Sequence, residues 1–158
     1  MRRKDREVTN LAEIRAFLQE AHILHIAFQD TPYPYIVPLH YGFEEHDGKF
    51  TFYMHGAKEG RKLELCRKNP HICLEIDHDG GLLSGGDKAC AYSAFYMSLI
   101  GTGKIRVVED LDEKKKGLSL LMKTQTGRDF VLTDAMVNAV AVFAVTLEAY
   151  TVKSHKKA

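Results

Sequence analysis

The chain has 158 residues, 45% hydrophobic and 27% charged, which is the composition of an ordinary globular domain. Its 22 basic residues balance 21 acidic ones, so a formal charge of +1 gives no overall field to recruit nucleic acid or an anionic membrane. No apolar run approaches a membrane span and no hydrophobic leader follows the charged start, so we expect one cytoplasmic domain over residues 1–158.

The chain begins with a predicted helix and two strands. Asn10 followed by Glu13 is a capping-box pattern, and the apolar spacing behind it predicts an amphipathic helix up to about Glu20. Dense apolar runs at 22–28 and 35–43 then predict two strands joined by a hairpin.

A third strand is predicted to follow the second directly. The Asp-Gly pair within residues 45–49 is typical of a tight turn, and the alternating run behind it ends at His55, so the three strands would form a meander. Pro38 lies within the second strand and cannot donate to a central ladder. That strand must therefore be bulged or open on one side.

The junction after the third strand has the features of a phosphate site. The strand breaks at Gly56 and a helix is predicted to begin at Gly60, where backbone N–H groups and the helix dipole favour an anion. Arg61 and Lys62 in the first turn would add a bidentate fork and a point charge. The alternative is an ordinary strand-turn-helix connection with a solvated basic helix face.

The second half of the chain predicts further strands. The helix should stop before the Asn-Pro pair at 69–70, and alternation at 72–76 predicts a fourth strand. Residues 77–88, rich in glycine and acidic side chains, are predicted to form a mobile loop. A long strand at 92–108 contains Gly101 and Gly103, which suggest a bulge.

The chain then predicts two helices and a closing strand. Asp112 is expected to cap the first helix and Thr133 to precede a short second one, and residues 140–152 are strongly β-prone. Six strands with few helices indicate a mainly β fold, an antiparallel barrel with flanking helices. A GxGxxG turn is absent from the sequence, which disfavours a dinucleotide-binding fold.

The cysteines indicate neither a disulfide framework nor a metal site. Cys66, Cys73 and Cys90 are odd in number and form no CxxC pair. His71 and His78 lie near Cys73, but the spacing matches no zinc pattern, and we expect no metal.

Taken together, these segments resemble the flavin-binding split-barrel proteins related to pyridoxamine 5′-phosphate oxidase, and within them the nitroimidazole-resistance (Nim) branch. The resemblance covers nearly the whole chain, and its specificity comes from the order and spacing of the segments. They are the opening MRRKDREV, 34–43, 53–62, 69–70, 90–93, 96–103 and 113–121.

The resemblance implies a six-stranded split β-barrel homodimer that binds FMN in clefts at the subunit interface. The implied phosphate residues are Lys58, Gly60, Arg61 and Lys62. The isoalloxazine edge would lie along Val37, Pro38 and Leu39. Tyr96 and Ser98 would lie near the cofactor, reaching across from the other subunit.

The histidines carry the expected chemistry. The resemblance places His55 near the reactive face of the flavin, and a histidine that titrates near neutral pH can donate a proton to a reduced substrate. His40 stands where relatives commonly have asparagine and could serve the same role. The alternative for His55 is a structural histidine at the strand end.

The implied function is an FMN-dependent reductase that passes hydride equivalents, with NAD(P)H as a possible donor, to a small electrophile such as a nitroaromatic compound. Two alternatives remain at this stage. One is a flavin-binding protein that sequesters or senses FMN without efficient turnover, and the other is a haem-binding relative with the same barrel.

Overall fold

The computed structural model describes residues 2–155, which contain four α-helices and seven strands. The helices are α1 (Leu11–Glu20), α2 (Arg61–Lys68), α3 (Leu111–Thr126) and α4 (Asp134–Asn138). The strands are β1 (Ile23–Phe28), β2 (Tyr35–His40), β3 (Gly42–His46), β4 (Lys49–Gly56), β5 (His71–Leu83), β6 (Ser93–Val108) and β7 (Ala141–His155).

All seven strands belong to one antiparallel sheet in the order β2-β1-β5-β6-β7-β4-β3. Its two edge strands, β2 and β3, are separated in the chain by Tyr41 alone, so the sheet must curl until its edges meet there. β2 packs against β4, although no ladder joins β2 to β3 among residues 2–155. The mainly β antiparallel fold is confirmed, with seven strands instead of six.

Tyr41 explains the additional strand. Its ring is fully buried, and its hydroxyl donates to the carbonyl oxygens of Leu18 at 2.8 Å and Ala21 at 2.7 Å. The Gln125 side-chain amide donates to the Tyr41 carbonyl at 2.9 Å. The prediction of one strand over 35–43, and of a meander, was wrong, because the two halves of that run pair with different strands at opposite edges of the sheet.

Two predictions about strand irregularities are confirmed. β2 is an edge strand paired with β1 alone, so Pro38 leaves no gap in a central ladder. The β6–β7 pairing shifts register between Thr102 and Gly103, which is the bulge expected from the two glycines.

The glycine-rich stretch at 77–88 differs from the prediction. Residues 77–83 continue β5 and pair with the start of β6, with an irregularity between Asp79 and Leu82. Only residues 84–92 connect the two strands. Cross-strand pairing with β6 therefore outweighs the low strand propensity of this segment.

The helix starts follow local capping chemistry. Asn10 Oδ1 accepts from the backbone N–H groups of Ala12 at 2.9 Å and Glu13 at 3.1 Å, as the capping pattern predicted. Asp110, not Asp112, caps α3, since its Oδ1 accepts from the N–H of Glu113 at 2.8 Å. The short helix expected after Thr133 is α4, and the Thr133 side chain caps it.

The core lies inside the curled sheet and under α1. Fully buried aromatic side chains dominate its centre, namely Phe28, Tyr41, Phe50, Phe52 and Phe143. None of the helices between residues 2 and 155 is both long enough and apolar enough to cross a membrane.

Candidate functional site

The start of α2 is open toward solvent. Gly60 precedes the helix with φ of 112°, a left-handed value that disfavours side chains, and no side chain caps the first turn. A Cβ at this position would meet no atom within 4 Å. The space beside Gly60 is therefore open, and at this uncapped helix start the dipole attracts an anion.

Arg61 is held by an acidic residue from the end of β1. Its Nε donates to Asp30 Oδ2 at 2.9 Å, and its Nη2 donates to the same oxygen. The guanidinium, followed by the Thr31 amide, lowers the pKa of Asp30. Of the five N–H donors of Arg61, those on Nη1 and the second on Nη2 remain for a ligand.

Lys62 is half-buried against an aromatic ring of β7. Its Nζ lies 5.0 Å from the centroid of the Phe143 ring, and burial lowers the pKa of the ammonium. The backbone at Gly56 passes directly beside the same ammonium group. Lys62 thus points toward the end of β4, whereas Arg61 points toward the end of β1.

The predicted histidines lie on this side of the molecule. His55 ends β4 opposite Val142 of β7, with an exposed side chain. Burial of part of the ring, then the charges of Lys62 and His40, lowers the pKa of His55. His40 Nδ1 lies 3.0 Å from the His22 carbonyl oxygen, which can only accept, so that nitrogen carries its hydrogen.

The residues predicted to lie along the isoalloxazine ring belong to β2. Val37 and Leu39 are half-buried and pack against the core, whereas Pro38 is exposed on the opposite face. Because β2 is an edge strand, backbone groups along its outer edge have no partner strand.

The fold places Tyr96 and Ser98 elsewhere. Leu39 and Leu99 lie in one register row across β2, β1, β5 and β6, a distance of three strand spacings or about 14 Å. Ser98 and Tyr96 lie beyond that row on β6. Within one chain they do not meet His40, and the roles predicted for the site residues stay predictions.

A family model described as pyridoxamine 5′-phosphate oxidase matches residues 10–154. The chain belongs to the pyridoxamine 5′-phosphate oxidase family. No curated protein matches it. Among solved structures, it resembles a candidate 5-nitroimidazole antibiotic resistance protein from Bacteroides thetaiotaomicron VPI-5482, with 28% identity and a TM-score of 0.78 over 94% of this chain and 86% of that one.

Two solved structures with this fold and lower sequence identity have names that mention redox cofactors. The flavocytochrome Anf3 from Azotobacter vinelandii is 17% identical, with a TM-score of 0.77 over 99% of this chain and 72% of that one. An FAD and haem binding protein from Mycobacterium smegmatis is 16% identical, with a TM-score of 0.76 over 96% and 74%. At such identities they support the fold alone.

Sequence reasoning missed a cluster of polar side chains on the strands next to β2. His25 on β1 lies opposite Pro38 on one side and Glu75 of β5 on the other, and its Nδ1 is 3.4 Å from Glu75 Oε2. Ligand-type atoms of His25, Glu75 and Asp77 all lie within 4.8 Å of one another. Residues so far apart in the chain give no local pattern, and only strand pairing brings them together.

Tyr96 has cationic neighbours of its own. The Tyr96 hydroxyl accepts from Arg6 Nη1 at 3.1 Å, and Lys153 Nζ lies 5.5 Å from its ring centroid. Lys153, followed by Arg6, lowers the pKa of the Tyr96 phenol. This second basic cluster lies at the start of β6. The opposite end of β6, at Val108, is the one in register with His55, through Val142 of β7.

Proposed function

We propose that this protein is an FMN-dependent reductase that takes hydride equivalents from a nicotinamide donor and passes them to a small electrophile such as a nitroaromatic compound. The observation that carries the proposal is the uncapped start of α2, with Arg61 and Lys62 in its first turn and His55 beside Lys62. Membership of the family and the 28% identity to a candidate nitroimidazole resistance protein support it.

The residues at α2 fit a phosphate monoester. No side chain caps the helix start at Gly60, Arg61 retains unused donors beyond its pair with Asp30, and Lys58 is an exposed cation in the loop just before them. Charge-assisted hydrogen bonds of this kind are short and roughly twice as strong as neutral ones. In the proposal, Arg61 and Lys62 hold the FMN phosphate, with Lys58 and the Gly60 backbone nearby.

The ring would lie along Val37, Pro38 and Leu39. Open backbone groups at the edge of β2 can satisfy the polar edge of an isoalloxazine, and the exposed Pro38 ring offers apolar surface. Bound flavin supplies the hydride chemistry, so the chain need only bind it, orient it and admit substrate.

In the proposal, the neutral imidazole of His55 makes a hydrogen bond near the reacting atoms. Its lowered pKa argues against an imidazolium at neutral pH, so it would act as a neutral N–H donor or as an acceptor. His40 could share this task, because its Nδ1 is fixed on the His22 carbonyl and its Nε2 is left for another partner.

A second copy of the chain would complete the cleft. Three isoleucines on the outer face of β1, β2 and β6 are exposed: Ile23, Ile36 and Ile100. In the proposal, these exposed isoleucines, interspersed with the polar side chains of His25 and Glu75, form part of the subunit interface. In the proposed homodimer, Tyr96 and Ser98 approach the partner's flavin.

Spectroscopy of the purified protein tests the proposal. Protein saturated with FMN and freed of excess by gel filtration should stay yellow, bleach when NADPH is added anaerobically, and recolour when a 2-nitroimidazole is supplied. Rapid bleaching without reoxidation, or no bleaching, would favour a flavin store, and a Soret band would favour haem. Protein that emerges colourless from saturating FMN would overturn flavin binding altogether.

A further inference from the structure

A separate cavity of about 280 Å³ lies beside α2, on a different face from Arg61. Leu63 and Arg67 of α2 line it, together with Lys58 and Lys114. At 100° per residue, Arg67 lies about 120° around the helix from Arg61. Lys58 lies in the loop before the helix start and lines the same cavity.

The cavity is positively charged, and its cations are not neutralised. Lys58, Arg67 and Lys114 converge on it, with Glu109 as the one acidic lining residue. Across residues 2–155, none of these three cations lies within 4.0 Å of a carboxylate oxygen. Three positive charges around one opening, opposed by one carboxylate, favour an anionic ligand.

The two lysines that follow Lys114 on α3 are paired with carboxylates. Lys115 pairs with Asp134 at 2.6 Å, and Lys116 pairs with Glu44 at 2.6 Å. Lys114 lies beside both in the chain yet faces the cavity without an acidic partner.

Apolar walls complete the cavity. Val107 near the end of β6, Val140 before β7 and Leu63 of α2 line it as well as the cations. Its volume is near the lower end for small-molecule pockets, enough for one ring system and not for a whole dinucleotide. The combination suits a ligand with a phosphate at one end and a flat ring at the other.

We propose that this cavity binds a nucleoside phosphate, through Arg67 and Lys114 at the phosphate and the valine walls at the base. The ligand could be the adenylate half of FAD, running around the start of α2 past Lys58, or a free nucleotide. The FAD alternative rests on the proposed flavin function, whereas binding of a free nucleotide does not.

The test compares 5′-AMP, FMN and FAD on the full chain. AMP binding is measured by calorimetry without flavin, and flavin binding by fluorescence quenching. The variant is Arg67→Ala with Lys114→Ala. The control is Lys115→Ala with Lys123→Ala, which removes the same charge from cations paired with Asp134 and Asp129. These side chains are at the surface, so melting temperatures should stay close to that of the parent.

We expect AMP to bind the parent and to lose about tenfold or more in affinity in the cavity variant, with the control unchanged. Tighter binding of FAD than of FMN, lost in the cavity variant, identifies the adenylate half of FAD. AMP binding without an FAD advantage identifies a free nucleotide. Failure of AMP to bind at millimolar concentration, with FAD and FMN equal, overturns the proposal. AMP binding without FMN binding would leave this site standing and reject the flavin function.

Discussion

The ammonium group of Lys62 lies against the backbone of Gly56. A Cβ built on Gly56 would be 2.5 Å from Lys62 Nζ and 3.0 Å from its Cε, closer than atoms can pack. The obstructing atoms are the end of a flexible side chain, so an added methyl group would displace the ammonium without disturbing the sheet. Gly56 therefore determines where the charge of Lys62 lies.

Gly56→Ala should weaken FMN binding about tenfold and leave the fold intact. One misplaced charge-assisted contact is worth about 1.5 kcal/mol, which corresponds to roughly that factor. Fluorescence titration measures the affinity. If the effect acts through Lys62, then Lys62→Ala should cost at least as much, and the double variant should cost no more than Lys62→Ala alone. Additive losses would assign Gly56 a separate role.

Removing both first-turn cations should cost about 3 kcal/mol or more of FMN binding energy, at about 1.5 to 3 kcal/mol for each contact. The variant is Arg61→Ala with Lys62→Ala, and retained flavin is measured by absorbance after gel filtration. Lys123→Ala, which removes a cation paired with Asp129 far along α3, serves as the control. A double variant that keeps its full flavin complement would show that the phosphate binds elsewhere.

Features set by neighbours in the chain were readable from sequence. Asn10 caps α1 through hydrogen bonds to N–H groups two and three residues away, and Gly60 occupies the position before α2, where the positive φ of 112° favours glycine. The edge position of β2 followed from Pro38 for a similar reason, since the missing N–H belongs to that residue.

Features set by distant pairing were not readable. Tyr41 divides one apolar run between opposite edges of the sheet, and nothing within residues 35–43 identifies their partner strands. Asp30, two residues after β1, reaches Arg61, and Phe143 reaches Lys62 from β7. The sequence thus singled out the cations of the predicted site but not the groups that orient them.

The lowered pKa of His55 predicts a pH dependence of stability. The native state resists protonation below the ordinary histidine value of 6.5, while the unfolded chain takes up the proton there. Stability from this group is therefore fully present above about pH 6.5 and declines as the pH falls below it. Between pH 5 and 8, the melting temperature of flavin-free His55→Gln should vary less with pH than that of the flavin-free parent. An NMR titration placing the His55 pKa above 6.5 would contradict this.

A substitution at His55 also tests the role proposed for this histidine near the flavin. His55→Ala should retain FMN yet turn over more slowly, because the side chain lost is beside Lys62 and not among the proposed phosphate contacts. His22→Ala is a matched control, since His22 reaches the site only through its backbone carbonyl. Unchanged single-turnover rates in His55→Ala would reduce this histidine to a structural residue.

Close contact between β3 and α3 predicts a strong stability effect at Gly42. A Cβ there would lie 2.1 Å from the Leu121 backbone nitrogen and 2.2 Å from the Leu120 carbonyl carbon, and backbone cannot move aside as a side chain can. Gly42→Ala should lower the free energy of unfolding by about 3 kcal/mol or more, measured with urea. Gly56→Ala is the same chemical change against flexible atoms, and its unfolding should resemble the parent. Equal stabilities would disprove the tight contact.

The exposed isoleucine face predicts a dimer that a single charge should break. Ile100 on β6 is 52% exposed and lies in one register row with Pro38, through Glu75 and His25. A new carboxylate at this position would be buried beside the carboxylate of Glu75 in the proposed interface, so Ile100→Glu should shift sedimentation from dimer to monomer and reduce FMN retention together. Val131, 92% exposed in the connection between α3 and α4, provides the matched control Val131→Glu, which should stay dimeric and yellow. A parent protein that sediments as a monomer while holding FMN would show that one chain suffices for the cleft.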